Sequence, residues 1–210
     1  MKICLIPARI GSKRIKEKNI LNFYGKPLIY YSINNAIKSK IFDKIYVSTD
    51  SKKIKKIVEI YNAEVPYLRP KTLSNDEAID NKVINFHLKK VKEKITYLCY
   101  LYPTSPMLRP KDLVNSFNFF KKKKINYLLS VKKFEKKNEK KILNIFSQKK
   151  KEKSKFIDIG QFYWFKLNNK NFDIENERKK LKFGWQLPAN FIDLNTNSDL
   201  KKLKFNFKNR

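Results

Sequence analysis

Residues 7–19 read Pro-Ala-Arg-Ile-Gly-Ser-Lys-Arg-Ile-Lys-Glu-Lys-Asn, so Gly11 and Ser12 stand among the cations Arg9, Lys13, Arg14 and Lys18. A glycine beside a hydroxyl lets backbone N–H groups approach a polyphosphate while the cations neutralise it. The stretch matches neither G-x-x-x-x-G-K-[ST] nor G-x-G-x-x-G. Taken alone it fits a basic surface turn as well as a phosphate cradle. A second segment, Tyr102-Pro103-Thr104-Ser105-Pro106, has a backbone fixed by two prolines. It suits a rigid connector or the wall of a binding site. A third, Gly160-Gln161-Phe162-Tyr163-Trp164, alternates as a strand, with Phe162 and Trp164 on one side and Gln161 and Tyr163 on the other. Because a core strand seldom turns a glutamine inward without a polar partner, Gln161 and Tyr163 are expected in a pocket.

The elements that must position these segments follow from the apolar pattern. Lys2 to Ile6 is an apolar run closed by Pro7, the pattern of a strand buried on both faces. Pro27 opens an amphipathic helix through Lys40, followed by a strand over 44–48, a helix over 51–61 capped by Asp50 or Ser51, and a short strand over 64–67. The rhythm continues with a helix over 79–92, a strand over 97–101, a helix after Pro110 and a strand over 127–131. Such alternation predicts one α/β domain, and open α/β sheets bind ligands at the carboxyl ends of their strands. Residues 132–157 differ: they are Lys-rich with few apolar residues, and read as a projecting arm that packs on a second subunit or as a flexible insertion. The lone His87 lies on a helix among apolar and basic neighbours and suits the core. Cys4 and Cys99, within apolar strands, suit buried thiols.

Composition bounds the class. The chain has 210 residues, 41% of them apolar, and a formal charge of +30. That charge first suggests a polyanion partner, but the 49 cations are 43 Lys and 6 Arg, whereas phosphate and base readers lean on Arg. A lysine excess beside abundant Asn, Ile and Phe and only 4 Gly is the mark of A+T-rich coding, and no specific nucleic-acid partner is expected. Two cysteines without a metal-type cluster point to a reducing compartment. No apolar run approaches the roughly 20 residues needed to span a bilayer, and the N-terminal run is too short for a signal peptide. A cytoplasmic protein without membrane contact is expected.

The order and spacing of several segments carry a resemblance. Residues 7–19, Gly25-Lys26-Pro27-Leu28, Val47-Ser48-Thr49-Asp50, Arg69-Pro70, Tyr102 to Pro106 and Asp158 to Trp164 together resemble the cytidylyltransferases that activate acidic nonulosonic sugars. That family includes the CMP-sialic acid synthetases, and the Gly-Gln-Phe-Tyr-Trp string looks like its pseudaminic acid branch. The resemblance runs over residues 1–132 and 158–202. It implies a Rossmann-like nucleotidyltransferase with a mostly parallel sheet and helices on both faces. It also implies CTP and Mg²⁺, transfer of CMP to the anomeric hydroxyl of the sugar with release of pyrophosphate, and a product used in flagellin or cell-surface glycosylation; a homodimer through the 132–157 arm is expected. In-line attack at an α-phosphate needs positioning and charge stabilisation and no covalent nucleophile, so a chain with one His can perform it.

Residue by residue, the resemblance puts Arg9 and Lys18 on the triphosphate and Asn19 beside the nucleotide. Ala8, Gly11 and Ser12 belong to the loop around it, with Lys13 and Arg14 as charge partners and Arg69 and Asp76 close to the cytidine. Tyr102, Thr104, Ser105, Gln161, Phe162 and Tyr163 are implied at the sugar. Asp193 and Asn195 correspond to the family's Asp-x-Asp-Thr metal motif, where alternation along a strand would put both on one face. Arg9, Lys18 and Asp193 are thereby implied as the catalytic set.

The chain also departs from the family. Asn195 stands in place of the second aspartate and brings no charge, so weaker Mg²⁺ binding is expected. Ile10 replaces a glycine, Lys16 a proline, and Tyr102 the glutamine common in the sialic acid branch. Residues 132–157 lack the usual Pro- and Arg-bearing segment. The alternatives these departures leave are a sialic or legionaminic acid substrate, or a catalytically weak nucleotide- or polyanion-binding relative.

Overall fold

The computed structural model describes residues 1–75, 80–134, 142–167 and 173–210. β1 (Lys2–Pro7) sends Ile3 and Leu5 into one buried cluster and Cys4 and Ile6 into another. This two-sided burial is why it reads as an unbroken apolar run. β2 (Asn22–Phe23) and β3 (Lys26–Pro27) form a small hairpin. Its two turn residues, Tyr24 and Gly25, have φ of 49° and 78°, the left-handed pair that matches the twist of flanking strands.

α1 (Leu28–Ser39) starts directly after Pro27, where a fixed φ is already compatible with extended entry into the helix. It leads to β4 (Lys44–Ser48) and α2 (Lys52–Glu59), whose first turn is capped by the Ser51 hydroxyl accepting from the Ile54 N–H at 3.3 Å. Then follow α3 (Asp80–Lys90), β5 (Tyr97–Leu101), α4 (Pro110–Lys122) and β6 (Tyr127–Lys133). β7 (Leu143–Ser147), β8 (Lys150–Lys166), α5 (Ile174–Lys179), β9 (Phe183–Gln186) and α6 (Asn197–Lys208) complete the described chain.

Seven strands form one sheet in the order β4-β1-β5-β8-β6-β9-β7, and β8 runs against its neighbours β5, β6 and β7 while the other pairings are parallel. Buried residues of α1, α2, α4 and α6 join the cluster containing Cys4 and Ile6, and those of α3 and α5 join the cluster containing Ile3 and Leu5. Helices therefore cover both faces of a mostly parallel sheet, as expected for a Rossmann-like nucleotidyltransferase. Cys4 and Cys99 lie opposite one another on β1 and β5 as buried free thiols. Among the described residues no helix is long and apolar enough to cross a membrane.

Two sequence expectations change. The strand over 64–67 is reduced to isolated bridges, Tyr46 with Glu64 and Thr49 with Leu68. Pro66 between them has no N–H to offer a ladder. Residues 192–196 form no strand, because Thr196 caps α6 in a reciprocal box with Asp199. The described part of the Lys-rich segment, 142–157, folds as β7 and the first half of β8, and β7 pairs with both β8 and β9. Its runs Lys136-Lys137 and Lys140-Lys141 lie outside the described residues.

His87 is fully buried on α3 with Nδ1 hydrogen-bonded to the Tyr67 hydroxyl, and burial lowers its pKa to about 4. Its folded pKa is below the unfolded value of about 6.5, so stability is intact above that value and falls as pH drops from there toward 4. At about 1.4 kcal/mol per pH unit, the interval is worth roughly 3 kcal/mol. Urea unfolding of the wild type should show this loss between pH 7 and pH 4, and His87→Leu should lack it. Equal losses in both proteins would refute the assignment.

Candidate active site

The loop after β1 is held by its backbone, which leaves its cationic side chains to line a cavity. The Ala8 N–H donates to the Ser48 carbonyl at 2.9 Å and the Ile10 N–H to Asp50 Oδ1 at 3.0 Å. Asn19, itself buried, donates through Nδ2 to the Arg9 carbonyl at 2.8 Å. Lys53 of α2 pairs with Glu17 at 2.7 Å and ties the far end of the loop to the helix. Asp50 thus serves the loop, and Ser51 alone caps α2.

Around this loop lies a cavity of about 550 Å³ lined by Arg9, Ser12, Lys13, Arg14, Lys18 and Asn19. Its opposite side is built from Arg69 and from Tyr102, Pro103 and Thr104 at the carboxyl end of β5. Segments far apart in sequence therefore share one space. Arg69 is buried and fixed by Nε donating to the Ser74 hydroxyl at 3.1 Å. Burial also lowers the pKa of Lys18 and of Arg69, against the raising effect of nearby Asp193 on the first and of Tyr100 on the second. Desolvated cations of this kind bind an anion more strongly than surface ones do, because little water competes.

Ala8 and Gly11 do not line the cavity: Ala8 is buried in the core, and they contribute the path of the loop. Asp76 lies outside the described residues. Sequence reasoning missed Asp80, which lines the cavity at the start of α3. Its carboxylate accepts from the Tyr100 hydroxyl at 2.9 Å and also from the Tyr102 hydroxyl. The available signal was the i, i+2 spacing of the two tyrosines, which puts both on one face at a strand's end.

The Gly-Gln-Phe-Tyr-Trp string sits on β8, but Gln161 does not face the cavity. Between the pairs Leu129–Tyr163 and Val131–Asp158, the single residue Ser130 of β6 stands opposite four residues of β8, 159–162. Gly160, with φ of 53°, supplies the left-handed residue that such a bulge needs. Gln161 is turned inward and donates through Nε2 to the Ile159 carbonyl at 2.9 Å and the Ile192 carbonyl at 3.2 Å. Its own carbonyl accepts from the Tyr102 N–H at 3.0 Å and the Ser105 hydroxyl at 3.2 Å. Gln161 and Ser105 therefore join the β5 turn, β8 and the 192–195 segment. Phe162 is a fully buried core residue. Both belong to the framework: the bulge turns Gln161 away from the face that alternation assigned it, while Phe162 packs with Trp164 in the core, opposite Tyr163, so it is not at the sugar as the resemblance implied. Tyr163 remains near the site, its ring packed edge-on against Tyr102 at 5.7 Å.

Ser130 Oγ accepts from the N–H groups of Gln161 and Phe162 at 3.0 and 3.1 Å, in the buried interior. Ser130→Ala would leave two buried donors without their acceptor, each costing about 1–3 kcal/mol. The variant should lose at least ~2 kcal/mol in denaturant unfolding. A loss under ~0.5 kcal/mol would show that the bulge does not depend on this hydroxyl.

Lys18 Nζ donates to the Leu194 carbonyl at 2.8 Å, which brings the cationic loop against Asp193. Asn195 Nδ2 donates to Asp193 Oδ2 at 2.7 Å. Asp193 lies beside Lys18, and desolvation raises its pKa against the lowering effects of the Asn195 hydrogen bond and the Lys18 charge. The Asn195 amide thereby orients the Asp193 carboxylate. Among the described residues no group of three or more His, Cys, Asp or Glu is arranged to hold a metal.

Comparison with known proteins agrees with this architecture. A family described as cytidylyltransferase matches residues 3–184. Over 136 residues the chain is 38% identical to the pseudaminic acid cytidylyltransferase of Campylobacter jejuni subsp. jejuni, covering 63% of this chain and 59% of that one. It is 35% identical over 118 residues to the N-acylneuraminate cytidylyltransferase of Escherichia coli O18:K1:H7, covering 56% of this chain and 28% of that one. The matched part is thus less than two thirds of either relative. Among solved structures, a CMP:2-keto-3-deoxy-manno-octonic acid synthetase complexed with CTP superposes with a TM-score of 0.73 at 15% identity, over 100% of this chain and 99% of that one. With its loop, sheet and family match in agreement, the chain belongs to the cytidylyltransferase family.

Proposed function

We propose that this protein transfers CMP from CTP to an acidic nonulosonic sugar of the pseudaminic type, with release of pyrophosphate. The observation that carries the reading is the single cavity in which Arg9, Lys13, Arg14 and Lys18 meet Arg69 and the Tyr102 turn. Such a space offers a triphosphate a cluster of cations at one end and aromatic and hydroxyl groups at the other. The names of the matched relatives, pseudaminic acid and N-acylneuraminate cytidylyltransferases, support the sugar class.

In this reading the sugar's anomeric oxygen forms a bond to the α-phosphorus as the bond to the β-phosphate oxygen breaks. Arg9 and Lys18 hold the phosphate chain in line and stabilise the charge that develops on its oxygens. Asn19 fixes the loop backbone that carries Arg9. Asp193 positions Lys18 by its charge, and Gln161 positions the Asp193 segment through the Ile192 carbonyl.

The donor set near Asp193 fits Mg²⁺ in one manner only. Mg²⁺ commonly takes one or two carboxylates and completes its shell with substrate phosphates and water. Asp193 would be the protein ligand, with Asn195 holding its second oxygen. When bound, the ion neutralises phosphate charge that the loop cations leave uncompensated.

The test is pyrophosphate release from CTP with purified protein and a panel of pseudaminic, legionaminic and N-acetylneuraminic acids. Release that requires both sugar and Mg²⁺, and is fastest with the first, is the expected result. CTP binding without turnover on any sugar would establish a nucleotide-binding relative instead.

A further inference from the structure

Asp80 lines the cavity around the loop from the start of α3. Among the described lining residues it is the only carboxylate, set against the cations Arg9, Lys13, Arg14, Lys18 and Arg69. A phosphate group could not approach it without meeting like charge. The carboxylate is also held in place. Its Oδ1 accepts from the Tyr100 hydroxyl at 2.9 Å, and its Oδ2 accepts from the Tyr102 hydroxyl. Burial, with the charge of Asp80 among the further causes, raises both phenols well above their ordinary pKa, so they remain donors.

The two tyrosines are themselves fixed. Their rings pack edge-on at 5.5 Å, and Tyr102 meets Tyr163 in the same way at 5.7 Å. The Tyr102 carbonyl accepts from the Ser32 hydroxyl of α1 at 2.9 Å, and its N–H donates to the Gln161 carbonyl at 3.0 Å. Asp80 is thus oriented before any ligand arrives, which spares the cost of ordering it on binding. An ionised carboxylate is an acceptor only, with about four lone-pair sites on its two oxygens. Each oxygen spends one site on a phenol and keeps one for a ligand. Two donors side by side satisfy both, and adjacent hydroxyls of a sugar ring provide them. An acidic side chain on a ribose hydroxyl is a recurrent arrangement in nucleotide-binding α/β folds.

We propose that Asp80 reads a pair of sugar hydroxyls on a bound reactant, and so fixes a part of the ligand that carries no phosphate. The inference rests on the function proposed above and names a recognition contact within the same cavity. Ribose hydroxyls of CTP and ring hydroxyls of the acceptor sugar share this chemistry. The two sources differ in which reactant loses affinity when the carboxylate is neutralised.

The test is titration of CTP and of 2′-deoxy-CTP into the wild type and Asp80→Asn, joined to steady-state pyrophosphate release over a range of pseudaminic acid concentrations. Where the ribose is read, the wild type should prefer CTP to 2′-deoxy-CTP by about tenfold. Asp80→Asn should then weaken CTP alone and erase the preference. Where the acceptor is read, both nucleotides should bind both proteins equally well, and Asp80→Asn should raise KM for the sugar about tenfold with kcat within about threefold. Either pattern supports the proposal, because a merely structural loss would weaken both nucleotides alike. Equal weakening of CTP and 2′-deoxy-CTP would assign the carboxylate to the base or to the wall alone and overturn it. Unchanged nucleotide affinities together with an unchanged KM for the sugar would overturn it as well. A wild type that binds neither nucleotide would overturn the underlying function instead, a result read without the variant.

Discussion

Lys18→Met should lower kcat/KM for CTP by about 100- to 1000-fold, the usual effect of removing one oriented donor from developing phosphoryl or oxyanion charge. Lys18 lines the cavity around the loop, where the proposed function puts the nucleotide, and burial has stripped it of part of its water. Methionine keeps the length of the side chain and deletes only the charge and the bond to the Leu194 carbonyl. The second loss must be separated from the first. Lys18→Arg keeps a cation but holds its charge on a larger planar group, so it should recover part of the activity. If Lys18→Met retains more than a tenth of the wild-type kcat/KM, this amine does not act on the phosphates. Steady-state pyrophosphate release and a CTP titration on the same samples give both numbers.

Asp193→Asn should lower kcat/KM by about 100-fold and abolish stimulation by Mg²⁺. The carboxylate faces Lys18 and is fixed by the Asn195 amide, so asparagine removes the counter-charge and, in the proposed reading, the metal ligand with little change of shape. The reciprocal variant makes the same argument from the other side. Asn195→Asp would set two carboxylates against each other, and like charges at that distance resist ionising together unless a cation lies between them. The half-saturating Mg²⁺ concentration should fall about tenfold, equivalent to ~1.4 kcal/mol. Unchanged metal dependence in both variants would remove Asp193 from the metal site and leave it as a partner for Lys18 only.

Much of this molecule is readable along the chain because its signals are local. The apolar run at 2–6 and the amphipathic stretch after Pro27 each report a burial pattern within a few residues. The cationic loop is legible for the same reason, since a glycine, a hydroxyl and five cations lie within ten positions. The strand expected over 64–67 failed where its local signal was crossed by Pro66, and the strand expected around 193–195 failed where a helix cap took precedence, although the two side chains still meet.

Residue types and order along the chain determined the fold class, the cationic loop after β1 and membership of the cytidylyltransferase family. Only the tertiary structure decided which side chains share a space. It brought Asp80 to the tyrosines of β5, turned Gln161 inward through a bulge, and placed Asp158 and Arg178 beside three leucines. The physical reason is that burial and register are collective. A residue inserted in β8 moves every neighbour to the opposite face, and no property of the residue alone records that shift.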